Sequence, residues 1–140
     1  MLFRSRGIDL EDERLAAIWR DRNLPVDVGD ATSLDFPDRS FDLVLAIEVL
    51  EHIPNPERAL REIARVAKSD VVVSVPREPI WRIGNLARGR YITAMGNTPG
   101  HINHWGSNSF RRFVRTEFDV VSVRTPLPWT MVHGAVRQPS

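Results

Sequence analysis

Cysteine is absent from this chain of 140 residues, and its absence excludes several classes of function. Without thiols there is no disulfide framework, no thiolate metal site and no cysteine nucleophile. An excess of one sign of charge is also lacking, because 19 basic side chains nearly balance 18 acidic ones and leave a formal net charge of +1. Such a balance gives no reason to expect nucleic acid or an anionic membrane as a partner.

Long hydrophobic runs are missing as well. No apolar stretch approaches the roughly 20 residues that a membrane-spanning helix needs. The first ten residues, MLFRSRGIDL, lack the apolar stretch that is typical of a signal peptide. What is present is an ordinary globular composition, with 42% hydrophobic and 26% charged residues. We therefore expect a single cytoplasmic domain over residues 1–140.

Strand and helix patterns alternate along the chain. Acidic residues at 11–13 precede a helical spacing of Leu15, Ile18 and Trp19, and we expect them to occupy the first turn of that helix. Asn55-Pro56-Glu57 is a typical helix start, and Ser107 is a candidate cap for a last helix. Strands are predicted at residues 2–9, 26–28, 41–47, 70–75, 118–123 and 131–136. This succession predicts an α/β fold with a mainly parallel sheet, helices on both faces and two closing antiparallel strands.

The segment 76–106 breaks the alternating pattern. It contains five glycines, three prolines, two of the four tryptophans and two histidines, with at best one short helix around 79–88. Long irregular segments in compact domains are usually binding loops or lids. We interpret 76–106 as a substrate-side loop or lid insertion; the alternative is a structured loop whose histidines only form local hydrogen bonds.

Three acidic residues, Asp9, Asp30 and Glu48, each follow a predicted strand. Ligands of parallel sheets bind beyond the carboxyl ends of the strands. A carboxylate there can accept hydrogen bonds from ribose hydroxyls or from an adenine amino group. Any one of the three could instead be a helix cap, a turn former or a solvated side chain, but their repetition favours a nucleotide-like ligand.

The order and spacing of five stretches within residues 7–75 extend this argument to a family. The stretches are Gly7-Ile8-Asp9-Leu10, Gly29-Asp30-Ala31, Leu34-Asp35-Phe36-Pro37, Ser40-Phe41-Asp42-Leu43-Val44 and Val49-Leu50-Glu51-His52-Ile53. Together they resemble the class I S-adenosylmethionine-dependent methyltransferases, and within them the methyltransferase type 11/12 group. The resemblance implies a Rossmann-like sheet, S-adenosylmethionine as cofactor and methyl transfer to a small-molecule acceptor.

The resemblance also implies roles for residues that follow the first two strands. Asp9 would bind both ribose hydroxyls, since each carboxylate oxygen can accept one hydroxyl hydrogen. Leu10 would pack on the adenine, Asp30 would accept from its amino group, and the backbone of Ala31 would donate to a ring nitrogen.

Ile47 and Glu48 would lie beside the methionine portion of the cofactor, where Glu48 could bind the ammonium group. His52, on the following turn, and His104, in the late loop, are the candidate general bases on the acceptor side. No metal site is expected, because His101 and His104 have no clear third ligand near them in the sequence.

One departure from the family pattern is severe. The glycine-rich motif of the type (Asp/Glu)-x-Gly-x-Gly is absent, and the chain begins almost at the family's second strand. Because the first strand is central in these sheets, its absence would leave two strand edges unpaired. We expect an N-terminally truncated domain that lacks the first strand and helix; the alternative is a short variant that rearranges or borrows a strand.

A second function competes with methyl transfer for this chain. An inactive methyltransferase-like fragment would act through association with a partner chain, and completion of the sheet edge by another chain would produce an oligomer. A nicotinamide-dependent dehydrogenase is disfavoured, since that fold places its own glycine fingerprint on the first strand.

Overall fold

The computed structural model describes residues 4–137. Within this range the elements are β1 (Gly7–Asp9), α1 (Glu13–Asp21), β2 (Val26–Val28), β3 (Phe41–Ile47), α2 (Pro56–Val66), β4 (Ala67–Pro76), α3 (Ile80–Ala87), α4 (Ser107–Val114), β5 (Phe118–Arg124) and β6 (Trp129–Val136). Short 3-10 helices cover Leu50–His52 and Ile92–Ala94. Residues 2 and 3 of the first predicted strand lie outside the described residues.

The strands form two sheets. In the smaller one, β1 and β2 are parallel; the larger has the order β3-β4-β6-β5, with β3 and β4 parallel and the other pairs antiparallel. The predicted α/β fold and the antiparallel pairing of the last two strands are thus confirmed. Of the four strand pairs among the described residues, two are parallel and two antiparallel, so the sheet is less parallel than expected. Within residues 4–137, β1 and β3 each pair along one edge only.

Local sequence signals explain where the first two long helices begin. Asn55 caps α2 by accepting from the backbone N–H of Arg58 at 3.0 Å, and Pro56 occupies the first helical position. Asp12 caps α1 in the same way through Arg14. The helix therefore begins at Glu13, and the prediction that Glu11 and Asp12 lie in its first turn was wrong. Ser107 does not cap the last helix either: it is the first residue of α4, the cap position is Gly106, and the Ser107 hydroxyl pairs with that of Thr130 at 2.9 Å. No helix in the described part of the chain is long and apolar enough to cross a membrane.

The core lies on one face of the larger sheet. Alternate residues of β4, namely Val71, Val73 and Val75, are fully buried there. The helices α2 and α4 both pack on this face through Ala59, Leu60, Ile63, Phe110 and Val114. The side chains of Leu43, Leu45 and Ile47 on β3 are between 44% and 61% exposed. Among the described helices, α2 and α4 contribute the buried residues of this core, and both therefore cover the same face of the larger sheet.

The loop between β2 and β3 is fixed to α2 by arginines. Arg65 donates to the carbonyl oxygens of Leu34 and Phe36 at 2.7 Å, and it forms an ion pair with Glu62 at 2.8 Å. This hydrogen-bonded pair lowers the pKa of the Glu62 carboxyl to about 2. Arg58 donates to the carbonyl of Thr32 at 2.9 Å. These contacts connect the end of the smaller sheet to the helix that covers the larger one.

Candidate functional site

Two exposed carboxylates lie at the carboxyl end of the smaller sheet. Asp9 ends β1, and Asp30 follows β2 by two residues; the N–H of Gly29 donates to the carbonyl of Asp9 at 2.8 Å. The parallel pairing thus places both acids at the same edge. Oδ1 of Asp30 accepts from the N–H of Thr32 at 2.7 Å, and this hydrogen bond lowers the pKa of the Asp30 carboxyl. A negative charge is therefore maintained there at neutral pH.

The residues that follow these acids offer apolar surface. Leu10 is 68% exposed next to Asp9, whose Oδ1 accepts from the Leu10 N–H at 2.8 Å. Ala31 is half-buried and packs against the core. An exposed leucine beside a carboxylate can bind a flat ring and a hydroxyl-bearing group together. Binding by Asp9, Leu10, Asp30 and Ala31 remains a prediction.

Glu48 lies directly beyond the end of β3 and links three strands. Its Oε1 accepts from the hydroxyl of Ser74 and its Oε2 from the indole N–H of Trp129, both at 2.9 Å. Burial raises the pKa of this carboxyl. The backbone of Glu48 has φ 56°, a left-handed conformation that is unusual outside glycine and is often kept at functional sites. An ammonium group bound here would donate to a carboxylate that already accepts hydrogen bonds from Ser74 and Trp129. The predicted role of Ile47 and Glu48 remains a prediction.

A second group of titratable side chains follows in the 3-10 turn after β3. Glu51 is only 1% exposed, and neither carboxylate oxygen has a hydrogen-bond partner among residues 4–137. Burial raises the pKa of this carboxyl to about 7. Nε2 of His52 lies 3.9 Å from Oε1 of Glu51, and Nδ1 lies 2.9 Å from the carbonyl oxygen of Gly100.

His101 completes this group from the late segment. Its ring is buried, with the His52 ring at 4.8 Å edge-on and the Trp81 ring stacked at 5.9 Å, measured between centroids. Burial lowers the pKa of His101, and the neighbouring His52 and His104 lower it further. The neutral imidazole is therefore the favoured form at neutral pH.

Backbone hydrogen bonds dock the late segment on the turn that carries Glu51. The N–H groups of Ile102 and Asn103 donate to the carbonyl of Glu51 at 2.9 and 3.1 Å. The Asn103 amide also donates to the carbonyls of Leu50 and Ile53 at 3.1 and 2.6 Å. These contacts bring residues separated by about fifty positions into one cluster.

The two predicted catalytic histidines occupy different surroundings. His52 belongs to the cluster with Glu51 and His101, whereas His104 is exposed and its Nε2 lies 2.8 Å from Oδ1 of Asn97. The short helix predicted around 79–88 is present as α3. Catalysis by His52 and His104, and a lid function for 76–106, remain predictions.

Sequence reasoning missed Glu51 and Trp129. Glu51 carried a usable signal, because it directly follows the apolar pair Val49 and Leu50. An acidic side chain in such a place is either exposed on a turn or buried beside a ligand or a partner. Trp129 carried none, since its contact with Glu48 depends on the pairing of β6 with β4, which places Trp129 opposite Pro76.

Comparison with known proteins agrees with these features. Residues 2–75 match a family model described as methyltransferase domain. Ajmaline N-methyltransferase from Rauvolfia serpentina is 35% identical over 77 residues, which cover 50% of this chain and 26% of that protein. Demethylmenaquinone methyltransferase from Lactobacillus johnsonii is 31% identical over 87 residues, covering 59% of this chain and 36% of that protein.

The chain belongs to the methyltransferase domain family, as the resemblance predicted. It spans between about a quarter and about a third of the length of these two curated relatives. Among solved structures, a SAM-dependent methyltransferase from Thermotoga maritima has a TM-score of 0.71 and 21% sequence identity, with 94% of this chain and 72% of that chain covered. At that identity the likeness concerns the fold, which is Rossmann-like.

Proposed function

We propose that this chain binds S-adenosylmethionine at the edge marked by Asp9 and Asp30 and takes part in methyl transfer to a small-molecule acceptor. The observation that carries the proposal is the pair of exposed carboxylates at the carboxyl ends of two adjacent parallel strands. This is the position at which open α/β sheets bind nucleotides. Membership in the methyltransferase domain family supports the choice of this nucleotide.

The side chains at this edge fit the proposed cofactor. The Asp9 carboxylate would accept hydrogen bonds from the ribose hydroxyls, and Leu10 would cover the adenine ring. Asp30 would accept from the adenine amino group, and the backbone of Ala31 would donate to a ring nitrogen. S-adenosylmethionine supplies an activated methyl group on a sulfonium, so that orientation of the acceptor accounts for much of the catalysis.

The residues at and beyond the end of β3 are assigned to the reacting end of the site. Ile47 and Glu48 would contact the methionine portion, with the Glu48 carboxylate near its ammonium group. His52 lies one turn further along and is the proposed base for an acceptor that must lose a proton. His104, in the proposed lid segment 76–106, is the second candidate.

Replacing Asp9 by alanine is expected to weaken the binding of S-adenosylhomocysteine, a stable cofactor product, by about 10- to 100-fold. The reason is the loss of the hydrogen bonds to the charged carboxylate; because water replaces them at this exposed edge, the net loss is about 1.5–3 kcal/mol in total. Isothermal titration calorimetry of the purified chain measures the effect. Asp119→Ala is the matched control, because Asp119 is an exposed acid on β5, an edge strand of the other sheet, and should leave the affinity unchanged. Equal affinities of the two variants, or no binding by the unaltered chain, would contradict the proposal.

Association with another chain is a second candidate function, favoured by β3. Among the described residues this strand is paired along one edge only, and it exposes Leu43, Leu45 and Ile47. Edges and apolar faces of this kind are typical sites of chain pairing.

Self-association through this strand should be visible by size-exclusion chromatography with light scattering. We expect a mass above 16.0 kDa that falls to the monomer value in Leu45→Lys. Val121→Lys is the matched control, because Val121 is comparably exposed on the opposite edge strand, β5. A monomer at every concentration would argue against this second function.

A further inference from the structure

We infer that Glu51, His52 and His101 form a binding site for a divalent first-row transition-metal ion, with zinc as the best fit. Each residue offers one ligand atom, and the three atoms lie within 4.8 Å of one another. The site does not coincide with the edge of Asp9 and Asp30. It was not predicted from the sequence, because only the pair His101 and His104 was considered there.

The spacing of the ligand atoms is close to that of a loaded site. Around a tetrahedral zinc ion, with ligands at about 2.1 Å, ligand atoms lie about 3.4 Å apart. Bringing ligand atoms that are up to 4.8 Å apart to the tetrahedral spacing requires side-chain shifts on the order of 1 Å each. The side chain of His52 is 46% exposed and has room to make such a shift.

The buried carboxylate of Glu51 is the strongest indication that a cation belongs here. Both of its oxygens lack a hydrogen-bond partner among the described residues, although the side chain is 99% removed from solvent. A buried polar group without a partner is destabilising, and a buried charge is normally paired or bound to a metal. A cation between Glu51 and the two imidazoles would provide that missing partner.

The tautomer of His52 is already set for metal binding. A carbonyl oxygen only accepts, so Nδ1, at 2.9 Å from the Gly100 carbonyl, must carry the hydrogen. Nε2 then holds the lone pair, and it is this atom that faces Oε1 of Glu51 at 3.9 Å. A backbone carbonyl on the far nitrogen is a common outer contact of a metal-bound histidine. Because Nε2 of His52 cannot bind an ion and accept a proton at once, the role of base in the proposed function falls to His104 while the ion is bound.

The ligand set also selects the kind of metal. Two imidazoles and one carboxylate suit zinc and its neighbours, whereas magnesium and calcium prefer sites built from oxygen alone. Three protein ligands leave one position open, as in reactive zinc sites. That position would hold water or, if the proposed function is correct, an oxygen of the acceptor.

Titration of the metal-free chain with Zn²⁺ tests the site. We expect one ion per chain, bound with micromolar affinity or tighter. His101→Asn and His52→Asn should each weaken binding by more than about 100-fold, since even the outer partners of metal ligands are worth about 10- to 100-fold. His104→Asn is the matched control: it lies three residues from His101, outside the cluster, and should bind as the unaltered chain does.

Two further measurements separate loss of the metal site from misfolding and from failure to bind the cofactor. Co²⁺ bound by two imidazoles and a carboxylate should give visible absorption bands that disappear in Glu51→Gln, a near-isosteric variant. Asp9→Ala should bind Zn²⁺ normally, so failure of the cofactor proposal leaves this test unaffected. The inference is overturned if the chain binds no stoichiometric Zn²⁺, or if the His52, His101 and His104 variants bind it equally well.

Discussion

Phe110→Ala is expected to lower the free energy of unfolding by about 3–5 kcal/mol, the usual range for truncating a fully buried phenylalanine. The side chain has no exposed surface and lies in the cluster that joins α4 to β4 and β5. Its ring contacts that of Trp105 at 5.5 Å between centroids. Truncation therefore removes buried apolar area and leaves a cavity that the sheet cannot fill by collapse. Urea denaturation followed by circular dichroism measures the loss.

Phe113→Ala on the same helix is the matched control. Phe113 is only partly buried and packs at the border of the core. Its truncation should cost clearly less, although its ring also contacts Trp105, at 5.2 Å. Equal losses for the two variants would mean that the core does not extend under α4 as described.

Gly96→Ala is expected to displace the segment that follows α3. Gly96 has φ 77°, and a β-carbon at this position would overlap the backbone carbonyl of Arg82 in α3. A backbone atom cannot move aside as a flexible side chain can, so the segment must shift. The buried amide of Asn85, which donates to the Gly96 carbonyl at 2.8 Å, would lose its partner in the same step. Trypsin cleavage at the neighbouring arginines, Arg88 and Arg90, should accelerate several-fold.

Gly89→Ala separates the two contributions to this effect. Gly89 also has a positive φ, 67°, but a β-carbon there would meet nothing within 4 Å. This variant therefore carries only the left-handed backbone penalty of about 1–2 kcal/mol. Because Gly89 lies between the two cleaved arginines, the two variants are compared by the free energy of unfolding. An equal loss in both would contradict the steric argument for Gly96.

Much of the fold follows from local sequence. The apolar run of β3 and the capped start of α2 depend on neighbouring residues, and both lie where the pattern places them. The first turn of α1 was misplaced because Asp12 can serve either as a cap or as a helical residue, and periodicity does not distinguish these. The exposure of Leu43, Leu45 and Ile47 on β3 departs from the expected cover of helices on both faces, since an apolar strand gives no sign of which face is covered.

The candidate site also has a part that the sequence predicts and a part that it does not. Asp9 and Asp30 lie at one edge because the carboxyl ends of two paired parallel strands meet at the same edge of the sheet. This rule can be applied as soon as the strands have been located in the sequence. The meeting of Glu51 with His101 follows no such rule. It depends on Asn103 docking across fifty residues, and side-chain amides in loops carry no signal of their distant partners.

The division into two sheets has a consequence for cooperativity. β1 and β2 contribute three residues each, and α1 buries none, so this part should open locally at a free energy well below that of global unfolding. The four-stranded part contains the fully buried core and should open last. A ligand held by Asp9 and Asp30 would then bind only the closed form of the smaller sheet. Part of its binding energy would order that sheet, and its arrival would slow amide exchange there while leaving the centre of β4 unchanged.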